Sequence, residues 1–163
     1  LLFFVSNSFS KNLSLYGERV GGLSVVCKDE AQAKAVQGQL QFNIRRIYSS
    51  PPSHGGHVVD IVMNDEALFN EWVQEVYVMR DRIKDMRQKL RDSLEAKLPG
   101  RSFEYITKQN GMFSYTGLTP EQVARIIKDF GIYMVANGRI SVAGLNASNI
   151  DYVANAMAEV LKD

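Results

Sequence analysis

Hydrophobic and polar residues fall into blocks that predict two strands, a helix and a break in the first third of the chain. Residues 1–5 form an apolar run of bulky side chains, which favours a buried strand of a parallel sheet. Residues 21–27 predict a second strand. Residues 29–47 carry apolar side chains at helical spacing, and Asp29 is placed to cap that helix. Segment 49–53 predicts its end, because proline cannot continue a helix interior.

The clearest element is a long amphipathic helix predicted for residues 65–98. Asn64 or Asp65 can cap its start, and the pair Pro99-Gly100 predicts its end. At 1.5 Å per residue it would be roughly 50 Å long, which suggests a beam that links two units. A coiled coil is the alternative, although clean flanking charge pairs are lacking. The apolar residues recur at spacings of three and four: Trp72, Val76, Met79, Ile83, Met86, Leu90 and Leu94.

The last third of the chain has the pattern of a small α/β unit. Thr119, Pro120 and Gln122 predict a helix start, with the threonine as its cap, and Gly131 suits its end. A final helix is expected after Ser148. Short strands are predicted at 103–106, 112–115, 132–135 and 139–142, and the last two flank a tight turn at Asn137-Gly138.

Composition is that of a folded soluble protein and excludes several classes of partner. Lysine and arginine number 19 against 18 acidic residues, so the net charge of +1 gives no general attraction to nucleic acid. The single Cys27 excludes an intrachain disulfide and fits a cytoplasmic location. His54 and His57 are expected in a loop after the two prolines, and a histidine metal centre would need further ligands from carboxylates or another chain. No apolar run reaches the length of a membrane span, and the opening run is too short for a signal peptide.

Candidate chemistry lies directly after the first predicted strand, in segment 6–11. Its serine hydroxyls and backbone N–H groups could bind a phosphate, and Lys11 supplies an amine that could attack a carbonyl. Arg19 follows as a permanently charged phosphate partner of bidentate geometry. Spacing alone leaves an ordinary solvated loop open as the alternative.

The run Ser8-Phe9-Ser10-Lys11, followed by Leu-Tyr-Gly-Glu-Arg-Val-Gly at 15–21, resembles the lysine motif of class I aminotransferases. In that family the lysine carries pyridoxal 5′-phosphate as a Schiff base and later acts as the general base and acid. The first serine and the downstream arginine hold the cofactor phosphate. The resemblance assigns these roles to Lys11, Ser8 and Arg19.

Three further motifs follow in the family's order, at residues 44–52, 111–114 and 137–140. Ile-Arg-Arg-Ile-Tyr-Ser-Ser-Pro-Pro at 44–52 is similar to the segment whose arginine reaches across the dimer to the substrate side chain. Counting back from the prolines assigns that role to Arg45. Asn-Gly-Arg-Ile at 137–140 resembles the segment whose arginine, here Arg139, grips the substrate α-carboxylate.

Gly-Met-Phe-Ser at 111–114 resembles the strand whose phenylalanine, here Phe113, lines the substrate pocket. Each residue alone has a plainer reading. Arg45 could be a solvated charge, Arg139 a hairpin residue and Phe113 a core residue. The resemblance covers essentially all 163 residues, and four ordered motifs favour the functional reading.

The resemblance implies an α/β fold with three parts. Residues 1–70 would end the large cofactor-binding domain of the type I pyridoxal-phosphate transferase fold, 65–98 would be the linking helix, and 99–163 the small domain. It also implies amino acid and 2-oxo acid substrates, a homodimer and no metal. The wording is most similar to bacterial aromatic-amino-acid aminotransferases, which implies aromatic and dicarboxylic substrates.

The family's other cofactor groups, including the acid that pairs with the pyridine nitrogen, lie upstream of its lysine. None of those segments occurs in these 163 residues. We therefore expect a C-terminal fragment that is inactive alone. The alternative is a non-catalytic binding module that keeps the fold and uses the long helix and exposed sheet to hold a partner.

Overall fold

The computed structural model of the protein describes residues 2–162. The chain divides into two compact units, with the boundary between Val76 and Tyr77, inside its longest helix. The α/β architecture expected from the sequence is confirmed. Leu1, which the predicted first strand includes, lies outside the described residues.

The first unit begins with two strands, β1 (Phe3–Ser8) and β2 (Gly21–Val26). They pair antiparallel, from Phe3 opposite Val26 to Ser8 opposite Gly21. The expectation of a buried, parallel strand is wrong for this pair, and Phe4 is 61% exposed. Residues 9–20 form two turns without a helix, whereas a parallel pair needs a long crossover connection. The first strand also continues through Ser8, further than predicted.

Helix α1 (Glu30–Ile47) confirms the prediction for residues 29–47. The Asp29 side chain accepts from the Gln32 N–H at 2.8 Å, and the Lys28 N–H donates to Gln32 Oε1 at 2.8 Å. The first bond satisfies a backbone donor of the first turn, and the second satisfies the N–H of the residue that precedes the cap. No residue of α1 is fully buried, and Val36 and Leu40 of its apolar stripe are partly covered in the described part of the chain.

Helix α2 (His54–Asn64) corrects the loop predicted around His54 and His57. Helix α1 already ends at Ile47, and the two prolines lie between the two helices, so they do not interrupt the helical turn that begins after Ser53. The His57 N–H donates to the Ser53 carbonyl at 2.9 Å, which closes the first turn.

Helix α3 (Glu66–Lys97) confirms the long helix predicted for 65–98. Asp65 caps it, because its Oδ1 accepts from the Leu68 N–H at 2.9 Å. Met86, Leu90 and Leu94 are buried in the core of the second unit. The stripe therefore packs against other elements of its own chain there, which argues against the coiled-coil alternative for this part of α3.

The second unit packs the last turns of α3 against two further helices and a small sheet. Its core includes Leu90, Leu94, Phe103, Ile106, Val123, Ile126, Val142, Ala154, Met157 and Val160. The remaining elements are α4 (Glu104–Lys108), β3 (Phe113–Tyr115), α5 (Pro120–Phe130), β4 (Arg139–Ser141), a short 3₁₀ turn (Val142–Gly144) and α6 (Ile150–Leu161). Strands β3 and β4 pair antiparallel.

The helix starting at Pro120 and the final helix are confirmed, and two predicted strands are wrong. Residues 103–106 lead into α4, because Phe103 and Ile106, three apart, both enter the core at helical spacing. Residues 132–135 are not a strand either, since β4 takes β3 as its partner. Within residues 2–162, no helix is both long and apolar enough to cross a bilayer.

Candidate functional site

The loop between β1 and β2 carries the lysine and arginine that the sequence singled out. Ser8 and Gly21 are the last strand pair, and the Phe9 N–H continues the pairing to the Val20 carbonyl at 3.2 Å. A Cβ on Gly21 would lie 2.4 Å from the Asn7 carbonyl oxygen, so only glycine allows this close approach. The sheet therefore fixes both ends of the loop.

Two hydroxyl groups meet where this loop begins. Ser8 Oγ lies 3.1 Å from Ser10 Oγ, and the Ser10 N–H donates to Ser8 Oγ at 3.3 Å. Ser10 is buried whereas Ser8 is exposed, so Ser10 supports the hydroxyl that faces solvent. Sequence reasoning assigned a role only to Ser8, and the serine-rich composition of segment 6–11 was the available signal for its partner.

Lys11 and Arg19 both contact Tyr16. The Lys11 Nζ lies 5.5 Å from the centre of the Tyr16 ring, within cation–π range. Arg19 donates from Nη1 to the Tyr16 carbonyl at 2.9 Å. Arg19 has φ of 52°, a strained conformation for a residue with a side chain. The loop thus gathers two cations around one tyrosine.

A tryptophan of α3 holds the residue next to the lysine. Trp72 donates from Nε1 to the Asn12 carbonyl at 2.8 Å, although the sequence pattern places it only in an apolar stripe. Asn12 Oδ1 is buried without a hydrogen-bond partner in the described residues. A buried unpaired acceptor is costly, so this position calls for a donor from elsewhere.

The donor set of this loop fits an anion with several acceptor oxygens. Ser8 offers an exposed hydroxyl, and Arg19 engages one of its five N–H donors in the described structure. Lys11 is exposed, and its amine accepts and donates no hydrogen bond within residues 2–162. A phosphate monoester beside an amine-reactive carbonyl matches this combination of groups.

Arg45 lies in the last turn of α1, in the first unit. Its Nη1 donates to Ser49 Oγ at 2.5 Å, and Ser49 has φ of 63°. The neighbouring Arg46 instead stacks its guanidinium on the Phe42 ring of the same helix, at 5.3 Å. Arg45 is exposed and forms no ion pair with a carboxylate in the described part of the chain.

In the second unit, the structure brings Phe113 and Arg139 together. The register places Tyr115 directly opposite Arg139, so Phe113 is its diagonal neighbour on β3. The Arg139 guanidinium carbon lies 4.9 Å from the centre of the Phe113 ring. Phe113 is 40% exposed, which excludes the plain core reading in this chain.

Both residues line a cavity of about 650 Å³ within this unit. Its other walls are mainly apolar and include Ile132, Met134, Leu145 and Tyr152. Arg139 is the charged residue among those lining it. A cavity with one arginine and apolar walls suits a carboxylate that carries an apolar group.

Arg87 is a residue of this region that sequence reasoning missed. It is 3% exposed and donates hydrogen bonds to Ile106, Gly111, Phe113 and Ser114. Burial lowers the pKa of its guanidinium. The available signal was its place on α3, where a charged residue stands among Ile83, Met86 and Leu90 on the apolar face.

Arg82 secures the segment that follows Arg139. Its guanidinium donates to the Leu145 carbonyl at 2.7 Å and to the Ala143 carbonyl at 3.3 Å. These carbonyls belong to the 3₁₀ turn after β4 and to its end. Within residues 2–162, no three His, Cys, Asp or Glu side chains lie close enough together to hold a metal ion.

The fold, the lysine loop and the arginine beside its phenylalanine together define a class of protein. The family model described as aminotransferase class I and II matches residues 3–157. The chain belongs to this family.

Individual relatives are similar along nearly the whole chain. The aromatic-amino-acid aminotransferase of Escherichia coli K12 is 55% identical over 157 residues, which cover 96% of this chain and 40% of that relative. A solved psychrophilic aromatic amino acids aminotransferase from Psychrobacter sp. B6, cocrystallised with aspartic acid, is 72% identical. The match has a TM-score of 0.94 and covers 98% of this chain and 40% of the chain of the solved structure.

A second solved structure is an aromatic-amino-acid aminotransferase from Burkholderia pseudomallei, covalently bound to pyridoxal phosphate. It is 52% identical, with a TM-score of 0.92, and the match covers 99% of this chain and 40% of the chain of the solved structure. The chain therefore spans about 40% of the length of these relatives.

Proposed function

We propose that this chain is the lysine-bearing part of a pyridoxal-phosphate-dependent aminotransferase that acts on aromatic and dicarboxylic amino acids. The observation that carries the proposal is the loop between β1 and β2, which presents the Lys11 amine together with Ser8 and Arg19. Family membership and the relative covalently bound to pyridoxal phosphate support the choice of cofactor.

The chain's own groups fit this cofactor at two points. Ser8 Oγ and the Arg19 guanidinium would bind the phosphate, for which a planar fork of N–H donors is well shaped. Lys11 Nζ would hold the cofactor covalently. When bound, the cofactor supplies an electron sink for the carbanion formed at the substrate α-carbon.

Lys11 also provides the proton transfer. Once its amine is free, Nζ takes the proton from the substrate α-carbon as a general base and later returns one as an acid. Tyr16, with its ring 5.5 Å from Nζ, limits where the flexible lysine side chain lies. Trp72 restrains the neighbouring Asn12 through its carbonyl, so the backbone next to the lysine is anchored to α3.

Arg139 would orient the substrate through its α-carboxylate. A two-pronged pair between a guanidinium and a carboxylate fixes direction as well as distance, which aligns the bond to be broken. The Phe113 ring supports that guanidinium, and the apolar cavity beside it suits an aromatic substrate side chain.

Arg45 would meet the second carboxylate of a dicarboxylic substrate. Its exposed guanidinium has no carboxylate partner among the described residues, so it can pair with a carboxylate of the substrate. We propose that it acts in the partner's site of a homodimer, the arrangement that the family resemblance implies. We also propose that the intact protein is cytoplasmic, in line with its single cysteine.

The test of the proposal uses the intact protein, wild type and Lys11→Ala. Pyridoxal phosphate added to the wild type should give visible absorption, and borohydride should leave a pyridoxyl group on the peptide that contains Lys11. Lys11→Ala should bind cofactor without borohydride-stable labelling and should lose turnover by several orders of magnitude, because covalent catalysis and proton transfer are both removed. A Lys11→Ala protein that still transaminates would contradict the assignment.

Substrate range needs a separate comparison. Tyrosine, phenylalanine and aspartate should all react in the wild type. Arg45→Leu should reduce kcat/KM for aspartate by about 100-fold while changing phenylalanine little, since one charge-assisted pair is worth about 1.5–3 kcal/mol. Equal losses for both substrates would contradict the role of Arg45.

A second candidate is a non-catalytic module of the same fold. It is favoured by the uncovered surface of the first unit, where no residue of α1 is buried and Ile47 is 75% exposed. The labelling experiment separates the two candidates, because a non-catalytic binding module should give no borohydride-stable pyridoxyl group at Lys11.

A further inference from the structure

Arg87 is a buried cation that no anion compensates. Its side chain contacts only neutral acceptors, and no carboxylate pairs with it in the described residues. Its Nε atom is buried without any partner there. Removing a guanidinium from water without a counter-charge is costly, so a residue with this arrangement calls for a purpose beyond filling space.

The contacts of Arg87 converge on one short stretch of backbone. Nη2 donates to the Gly111 carbonyl at 2.9 Å and to the Phe113 carbonyl at 2.6 Å. Nη1 donates to Ser114 Oγ at 3.0 Å and to the Ile106 carbonyl at 2.7 Å. The guanidinium therefore grips the backbone of Phe113 and the side chain of the next residue with one rigid group.

Strand β3 is held from both of its edges, and Arg87 acts on the edge that does not face β4. It comprises three residues and pairs only with β4, which is equally short. Gln109 also supports the strand, because its Oε1 accepts from Ser114 Oγ at 3.1 Å and from the Tyr115 N–H at 2.8 Å. Backbone bonds tie both ends of β3, from the Val142 N–H to the Met112 carbonyl at 2.8 Å and from the Thr116 N–H to the Gly138 carbonyl at 3.0 Å. Among these groups, Arg87 is the one whose side chain donates to the Phe113 carbonyl, so the placement of Phe113 depends on it directly.

We propose that Arg87 is a positioning residue for substrate carboxylate recognition. Arg87 fixes β3 and thereby the Phe113 ring. The ring in turn keeps the Arg139 guanidinium oriented toward the substrate carboxylate. The ring lies 4.9 Å from the Arg139 guanidinium carbon, so a shift of β3 moves the support of that group. This inference rests on the proposed function, which assigns the α-carboxylate to Arg139.

Lysine should not replace arginine here. An ammonium group has the same charge, but it lacks the planar fork that spans four acceptors from one place. Arg87→Lys therefore keeps the positive charge and loosens the frame, which makes it the informative substitution.

Arg91 offers a matched control on the same helix. It is partly buried, pairs with Glu95 at 3.0 Å and donates to Thr107 Oγ1 at 3.2 Å, and it forms no hydrogen bond to β3 among the described residues. Arg91→Lys thus repeats the chemical change one turn away and leaves the Phe113 backbone untouched.

The experiment measures ligand binding to the intact, cofactor-loaded protein by titration calorimetry. The probes are 3-phenylpropanoate and its uncharged amide, which share the ring and differ in the carboxylate. Arg87→Lys should weaken the acid about tenfold and leave the amide within about twofold, because only the acid uses the oriented guanidinium. Arg91→Lys should bind both probes as the wild type does.

A double-mutant cycle tests whether Arg87 acts through Phe113. Phe113→Leu should weaken the acid by itself, and adding Arg87→Lys should weaken it no further. Additive losses, equal losses for acid and amide, or an Arg87→Lys protein that matches Arg91→Lys would each overturn the inference. A merely structural role would affect both probes alike.

Failure of the proposed function gives a different result. If Arg139→Gln binds the acid as tightly as the wild type, Arg139 does not bind the carboxylate. The role assigned to Arg139 in the proposed function is then wrong, whatever Arg87→Lys shows. If Arg87→Lys does not fold, Ser114→Ala replaces it, since it removes one Arg87 acceptor and leaves the guanidinium in place. Ser114→Ala should weaken the acid about threefold with the amide unchanged, and no change would overturn the inference.

Discussion

Gly138 sets the turn that delivers Arg139 to the sheet. It has φ of 81°, and its carbonyl accepts from the Thr116 N–H at 3.0 Å and from Thr116 Oγ1 at 2.8 Å. A Cβ at this position would lie 2.8 Å from the Leu118 carbonyl oxygen. Glycine is therefore required here for two separate reasons, its backbone conformation and the close approach of another segment.

Replacement of this glycine should show both costs. Gly138→Ala should lower the free energy of unfolding by about 2–3 kcal/mol, through left-handed strain and the clash together. Gly131→Ala is the matched control, because Gly131 has φ of 64° with nothing near its Cβ position. It should cost only about 1 kcal/mol. Urea unfolding of both variants measures the difference, and equal losses would show that the clash is absent.

The candidate site residues were all predicted through resemblance to a family: Lys11, Ser8, Arg19, Arg45, Phe113 and Arg139. Spacing alone could not separate Lys11 from other solvated lysines, since its exposure and its contact with Tyr16 depend on how the loop turns. Arg87 was missed because three of its four hydrogen-bond partners are backbone carbonyls, which any residue type supplies.

At the scale of elements, helix α5 is the part of the chain whose start depends most clearly on local sequence. Thr119 accepts from the Gln122 N–H, and Gln122 Oε1 accepts from the Thr119 N–H at 3.0 Å, which completes a capping box. Gln122 also donates from Nε2 to the Val160 carbonyl at 3.0 Å. The same side chain therefore links the start of α5 to α6.

Loss of the cap should destabilise the second unit measurably. Thr119→Ala should cost about 1 kcal/mol, because a backbone donor of the first turn loses its acceptor. Thr119→Ser retains the hydroxyl and should stay close to the wild type. The comparison is the urea midpoint of the two variants, and a serine variant as unstable as the alanine variant would contradict the capping role.

Glu95 of α3 should make the second unit sensitive to acid. The Phe103 N–H donates to Glu95 Oε1 at 3.0 Å, and this bond, followed by the pairing with Arg91, holds the pKa of Glu95 below its usual 4.5. A carboxyl with a lower pKa in the folded state contributes stability above its unfolded pKa. That contribution is lost as the pH falls through the folded value.

The corresponding measurement is unfolding as a function of pH. Wild type should be more stable than Glu95→Gln at pH 7, and the difference should shrink as the pH falls below about 4.5. Arg91→Met should keep part of the pH dependence, because the Phe103 N–H is the larger cause. A wild type and Glu95→Gln pair with a constant difference across this range would refute the account.

At the scale of the whole molecule, the two units differ in how much apolar surface they bury. The buried apolar side chains of residues 2–162 all lie between Met86 and Leu161. The first unit instead exposes Phe4, Leu23 and Ile47. Exposed apolar side chains mark a contact surface where they form a contiguous patch.

Amide hydrogen exchange should therefore differ between the units of the 163-residue chain. Amides of α5 and α6 should exchange slowest, because opening them exposes the core of the second unit. Amides of α1 should exchange faster, because no residue of this helix is buried. Adding the remainder of the intact protein should slow α1 selectively, and equal protection in both units without it would contradict this reading.

By itself, the sequence determined the elements whose signals are local. Helices α1, α3, α5 and α6 follow from apolar spacing, caps and glycine ends, which act within a few residues of one another. Tertiary structure decided the rest, since strand partners depend on segments distant in the chain. Thus β4 pairs with β3 and segment 103–106 enters a helix. Tertiary structure also decided that Arg87 donates to the Phe113 carbonyl, because a buried cation meets carbonyl acceptors only where folding brings another stretch of backbone close to it.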